Sequence, residues 1–390
     1  MKKRILISAS LFHALNDAAT VSVPMIFPLL YNQKLLIKTY SHIGIMSNLG
    51  LLVTLLFQVI IAGTAHKYEY KSMLLVSIAG LSLTLALLPF SGTFGILILF
   101  YLSLRLFASF YHSVGVATVS RAYSESDLDT AMGIQNGSGN LGVFLAFIVS
   151  GWLAQKYGWK IPLFACSGTI IILGSISFLT AAKTKTLPSA PPAPGNLSWK
   201  ESLRSIRGYI PGIIFGGACW GTTVYFAPSL LHHKFQVSMT ATGIFLALWI
   251  GIGTVTNYAY GILSRRFGRN TLAISGILGA SFFLLLLGIA PFRIMAVISL
   301  FFFGGALFSI FPAFQTLVGT NASKRNQTHA FSLVANIQMF TGATVNLIAG
   351  LLSDTFGINT PFLFLSGLGL LVASFFILRG FEPRHRIPPP

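Results

Sequence analysis

The feature that most restricts the fold is the length of the runs between charges. Residues 5–33, ILISASLFHALNDAATVSVPMIFPLLYNQ, lie between Arg4 and Lys34 and hold one formally charged residue, Asp17. About 20 apolar residues in helical form cross the roughly 30 Å hydrocarbon core of a bilayer, so this run reads as a membrane-spanning helix. Asp17 lies 12 residues past Ile5, about 18 Å along such a helix and near mid-bilayer. A carboxylate there costs at least about 2.5–3.5 kcal/mol on insertion scales unless it is paired or neutral.

Such runs recur along all 390 residues. The chain is 54% hydrophobic and 9% charged, against about 25% charged for a soluble domain. Charge-poor stretches at 5–31, 40–65, 72–90, 95–121, 131–155, 160–182, 208–231, 239–264, 271–290, 293–319, 327–353 and 359–379 predict twelve transmembrane helices, an all-α polytopic protein. The run after MKKR is too long for a signal peptide and should be retained as helix 1. One longer break, 183–207, is rich in Pro and Ser. It reads as a linker between a first six-helix unit (1–182) and a second (208–390) that ends in a short basic tail.

The net charge of +18 is distributed by side. With the N-terminus inside, 19 Lys and Arg fall in inner segments and six (Lys34, Lys38, Lys156, Lys160, Lys234, Arg293) in outer loops; Arg105 lies within helix 4. This asymmetry places both termini and the linker in the cytoplasm, with the protein in the cytoplasmic (inner) cell membrane. The excess charge is then a topology signal that also favours anionic lipid, and nucleic acid is not an expected partner. Cys166 and Cys219 each stand alone in apolar runs, so no disulfide, metal site or cofactor is implied.

A Gly-x6-Gly element closes helix 5 (Gly151–Gly158), helix 8 (Gly261–Gly268) and helix 11 (Gly350–Gly357). After helix 2 the same place reads Gly63 to Tyr70, with the second glycine lost. An element recurring every three helices makes the three-helix unit the repeat, and successive units must alternate in orientation because three is odd. Inverted pairs joined in parallel are the internal symmetry of major facilitator transporters, whose substrate site lies near mid-bilayer.

On its motifs the chain resembles the major facilitator superfamily, and within it the fosmidomycin-resistance-like drug exporters. The matching residues are HALND (13–17) on helix 1, FYHSVGVATVSR (110–121) on helix 4 and NGSGNLG (136–142) on helix 5, with Arg105 where that superfamily often has a helix-4 arginine. The resemblance implies two six-helix bundles around a central cavity and transport by alternating access. It also implies that helices 1 and 4 line the cavity. Several positions depart from the family pattern: Lys67, Tyr70 and Lys71 replace the acid and Gly-Arg pair after helix 2, and Arg265 precedes Gly268 and Arg269 where an acid is usual. On helix 5 the Gly-Pro and Gly-Gly pairs read Ala146-Phe147 and Ser150-Gly151, and Ser113 and Val114 follow the helix-4 histidine.

The candidate site follows from spacing. His13, Asn16, Asp17, Thr20 and Pro24 form one polar stripe on helix 1. Counting residues along helix 4 puts Arg105 at the depth of Asp17, with His112 two turns nearer the cytoplasm. Two layers are therefore expected, Asp17 with Arg105 and His13 with His112. They either carry protons or substrate, or clasp helix 1 to helix 4. Further cavity candidates are Asn136, Asn140, Trp220, Tyr225, Asn257, Gln315 and Asn336; the amides could equally be inter-helix bonds and the aromatics packing. Lys67, Lys71, Arg265, Gly268, Arg269 and Asp354 are assigned to gating loops, and the acids of SESDLD (124–129) to a loop capping helix 5.

No nucleophile or metal-ligand cluster accompanies the histidines, which argues against a membrane enzyme. A non-transporting receptor on the same fold is the other class weighed. The expected function is a proton-coupled exporter of small organic compounds or drugs, acting as a monomer. The alternative is a facilitator or importer of a small organic anion bound through Arg105.

Overall fold

The computed structural model describes residues 2–32, 36–64, 67–115, 118–119, 122–123, 125–181, 199–322 and 327–379. Within them lie twelve long helices: α1 (Lys2–Asn32), α2 (Tyr40–Thr64), α3 (Tyr70–Leu87), α4 (Phe94–Phe110), α5 (Glu125–Tyr157), α6 (Lys160–Thr180), α7 (Ile210–Ser229), α8 (Met239–Phe267), α9 (Arg269–Ile289), α10 (Arg293–Asn321), α11 (Gln327–Phe356) and α12 (Thr360–Arg379). Ten are long and apolar enough to cross a membrane. The exceptions are α1, whose apolar run the polar stripe interrupts, and α4, which gives way after 17 residues to a π-helical turn at Tyr111–Gly115.

Two expectations change. Most of the linker, 182–198, lies outside the described residues, but its end is a short helix, Trp199–Ile206, with Ile206 buried and the Ser205 carbonyl accepting from Asn321 Nδ2 at 2.7 Å. The acids 125–129 are not in a loop: α5 begins at Glu125, one to two turns before the sequence suggests. Carboxylates suit a first helical turn as well as a cap, so polarity alone cannot separate the two.

In the first half α1 packs on α5 and α6, and α3 on α4 and α6; in the second α7 packs on α11, and α9 on α10 and α12. Between halves the long contacts are α2 with α11 and α5 with α8. By alternation, α2 and α8 begin, and α5 and α11 finish, at the end of the molecule opposite the termini. There the backbones nearly touch. A Cβ on Gly44 would lie 2.7 Å from the Asn346 carbonyl oxygen, and one on Gly350 2.8 Å from that of Tyr40. Nothing lies within 4 Å of a Cβ at Gly261, near the termini end of α8. Among the described residues the closest backbone approaches between the bundles are therefore at the end opposite the termini.

The repeated glycine element has a backbone cause. Gly158, Gly268 and Gly357 have φ of 84°, 83° and 97°, a region that glycine enters at no steric cost. Tyr70, which stands at the fourth copy, instead opens α3 and is buried beside Ser8, with the two hydroxyls 3.4 Å apart.

Candidate functional site

A cavity of about 820 Å³ lies between the bundles, lined from α1 by Asn16, Asp17, Thr20 and Val21 and from α4 by Arg105 and Ala108, with His112 just beyond. Gln58 and Val59 late in α2, and Ser332 and Asn336 early in α11, extend it toward the termini end. At the opposite limit the hydroxyls of Tyr101 and Tyr225 meet at 2.6 Å across the bundle boundary.

Asp17 is the middle residue of α1. Its Oδ2 lies 3.1 Å from His13 Nε2, one turn away, and its Oδ1 lies 3.7 Å from His112 Nε2 and 3.2 Å from Asn16 Nδ2. The π-helical turn carries both Tyr111 and His112 into this cluster: the Tyr111 ring stacks on His13 with centroids 4.2 Å apart, while the His112 side chain stays 43% exposed to the cavity. Such turns occur often at functional sites.

This corrects the expected two layers. Asp17 pairs with the two histidines, and no ion pair to Arg105 occurs among the described residues. Arg105 is 8% exposed and turns toward α2, where its Nε donates to Thr54 Oγ1 at 3.0 Å. Gly50, one turn before Thr54, leaves room for the arginine stem, which lies 3.1 Å from where a Cβ would be.

The hydrogen bonds fix where one proton must be. His13 Nδ1 lies 2.8 Å from the Gln135 carbonyl oxygen, which can only accept, so Nδ1 carries a hydrogen. Nε2 then faces a carboxylate oxygen, and two lone pairs do not hold that distance. A proton lies between them, on the imidazole or on the carboxyl. Among the described residues the ligating atoms of His13, Asp17 and His112 all fall within 4.8 Å of one another, compact enough for a single cation. Gln135 also donates from Nε2 to the Tyr111 hydroxyl, so one buried residue holds both faces of the arrangement.

Of the remaining candidates, Trp220, Tyr225 and Asn336 line the cavity, Trp220 stacking on Trp249 at 5.2 Å. Asn136, Asn140, Asn257 and Gln315 do not line it. Asn140 donates to Thr254 Oγ1 of α8 at 3.1 Å, an inter-helix bond, and Gln315 and Asn136 are exposed. A polar residue on an apolar helix marks a special face without saying toward which neighbour. Lys67, Arg265 and Arg269 are exposed at the termini end, whereas Lys71 lies over the Phe178 ring at 4.5 Å within its own bundle. Asp354 accepts from the backbone N–H groups of Tyr40 at 2.7 Å and Ser41 at 2.9 Å, and from the Ser41 hydroxyl. Sequence reasoning missed Tyr111, Gln135, Thr54 and Gly139. Tyr111, Gln135 and Gly139, each next to a residue already singled out, offered a signal.

Two inverted-repeat bundles closed at one end around a charged mid-membrane cavity define a multi-pass membrane transporter, not an enzyme. The sequence profile of the Major Facilitator Superfamily matches residues 7–346, and again 260–390. The chain belongs to that superfamily. It is 24% identical over 414 aligned positions to the multidrug resistance protein MdtG of Escherichia coli strain SMS-3-5, covering 99% of this chain and 96% of the relative. Among solved structures, a bacterial homologue of the human lysosomal transporter Spinster, inward-facing and unoccupied, superposes with a TM-score of 0.84 at 15% identity over 97% of both chains. The nucleoside transporter NupG gives 0.77 at 14% identity, over 97% of this chain and 100% of that one.

Proposed function

We propose that the chain is a secondary active transporter that exports small organic compounds and takes its driving force from protons exchanged at His13, Asp17 and His112. The observation that carries this reading is the 3.1 Å approach of His13 Nε2 to Asp17 Oδ2, a contact that needs a proton between the two atoms, beside a cavity-exposed His112. A half-buried carboxylate bridged this way is neutralised without a permanent counter-charge, so it can load and release a proton. The multidrug resistance name of the relative supports drug-like cargo. The charge asymmetry of 19 to six supports a cytoplasmic-membrane protein with inner termini. The halves 1–182 and 208–390 would rock about the cavity as units, and nothing in the site needs a second subunit.

Asn at position 17 is nearly isosteric but cannot titrate. Asp17→Asn in liposomes should abolish substrate accumulation driven by a pH gradient while exchange down a substrate gradient survives. Normal gradient-driven accumulation would reduce Asp17 to a clasp on α1. A second reading, facilitated movement of a small organic anion, is favoured by the buried Arg105 guanidinium that lines the cavity without an ion pair among the described residues. It expects Asp17→Asn to transport at the wild-type rate with no response to a pH gradient in either protein.

A further inference from the structure

The repeated Gly-x6-Gly element puts a particular side chain at each bundle boundary. Four residues past its first glycine stand Gln155 on α5 and Asp354 on α11, at the end opposite the termini, and Lys67 and Arg265 at the termini end. The first two do the same work in different halves. Gln155 Oε1 accepts from the backbone N–H of Met239 at 2.8 Å, the first residue of α8. Asp354 accepts from the N–H groups of Tyr40 and Ser41, the first residues of α2. Each acceptor therefore caps the N-terminus of a helix in the other bundle, satisfying donors that a helix cannot satisfy itself.

Beside each cap the first glycine of the element lets the same two helices close: a Cβ on Gly151 would lie 2.5 Å from the Met239 carbonyl oxygen, and one on Gly350 2.9 Å from Ser41 Cα. Lys67 and Arg265 cannot perform this role at the termini end. A cation has no lone pair for an N–H, and the positive end of a helix dipole repels it.

We infer that Gln155 and Asp354 are a matched pair of positioning residues that cap helices across the bundle boundary. Their presence at one end only sets the resting access of the cavity toward the termini. This rests on alternating access but not on proton coupling, and its test needs neither substrate nor a gradient. Thr20 lines the cavity, so Thr20→Cys, with Cys166 and Cys219 replaced by Ala, reports entry from the far side through its rate of modification by a membrane-impermeant methanethiosulfonate. Sidedness is calibrated with Lys234→Cys, at an exposed position opposite the termini.

The rate follows the population open to that side at any baseline. Removing one cap should raise it about fivefold, and removing both about 25-fold if the two act independently. Asp354→Asn keeps one accepting oxygen and should fall between wild type and Asp354→Ala. Should Asp354→Ala fail to fold by size exclusion, Gln155→Ala, which frees a single N–H, carries the measurement. An unchanged rate in Gln155→Ala or in the double variant, or an Asp354→Asn rate equal to that of Asp354→Ala, overturns the inference.

Discussion

Gly139→Ala tests the His13–Asp17 proton site without altering a titratable group. The new methyl would lie 2.6 Å from both Cε1 and Nε2 of His13 and 2.9 Å from Asp17 Oδ2. Carbon contacts become comfortable only beyond about 3.4 Å, so about 0.8 Å must be found. The imidazole has little freedom to supply it, being stacked on Tyr111 and bonded to the Gln135 carbonyl. Nor does α5 have much, since its other side meets α8 where the Phe147 carbonyl faces Gly243. Overpacking of this kind costs about 1–3 kcal/mol. The relief at hand is to part the pair, and from 3.1 Å a displacement of that size takes it beyond hydrogen-bond reach. Alanine also favours helix by about 1 kcal/mol over glycine, so a loss cannot come from backbone propensity.

The expected result in liposomes is gradient-driven accumulation reduced about tenfold, the factor for about 1.4 kcal/mol, with a displaced pH profile. Exchange without a gradient should stay within about twofold, because the cavity wall is otherwise intact. Gly133→Ala, on the same helix with nothing within 4 Å of its Cβ, is the control and should transport normally. A Gly139→Ala protein with the wild-type pH profile and accumulation refutes the claim that this contact holds the working proton.

Arg105→Lys should lower apparent substrate affinity or rate at least several-fold, because an ammonium cannot keep the bond from Nε to Thr54 while presenting a planar fork to the cavity; equal rate and affinity in a flux assay would remove Arg105 from the site. For topology, a cysteine at exposed Lys234 should react with impermeant reagent added outside intact cells and one at exposed Arg204 should not; the opposite pattern inverts the assignment of the termini.

The span of each helix was largely legible in the sequence, and which side chains meet across helices was not. Apolar runs and the glycine repeat located all but the fourth and fifth helices within a few residues, since burial in lipid constrains every residue of a span and φ near 84° constrains the turn after it. The placement of Asp17 beside His13 followed from i, i+4 spacing alone. Arg105 was given the wrong partner: it bonds Thr54 of α2, and the α4 residue that meets Asp17 is His112, seven positions further on, because residue counting cannot tell how α4 slides and turns against α1 and α2. The Gln135 carbonyl, which fixes the His13 tautomer, is main chain and leaves no trace in residue type. Asn136, Asn140, Asn257 and Gln315 look alike in sequence, and only packing separates an inter-helix bond from a cavity wall.

The turn at Tyr111–Gly115 changes how this chain must be compared with others. A π turn is an α-helix that has accepted one surplus residue, and each residue of an α-helix accounts for about 100° of rotation. An alignment to a relative whose fourth helix is α throughout therefore needs a one-residue gap at this point. Without it, every position after the turn is matched to a neighbour on the wrong face. By the same arithmetic, deleting a single residue between Tyr111 and Gly115 would restore an α turn and leave the rest of the helix on its present faces, while re-aiming the residues of the turn itself by about 100°. The approach of His112 to Asp17 thus depends on the π turn as much as on the residue type.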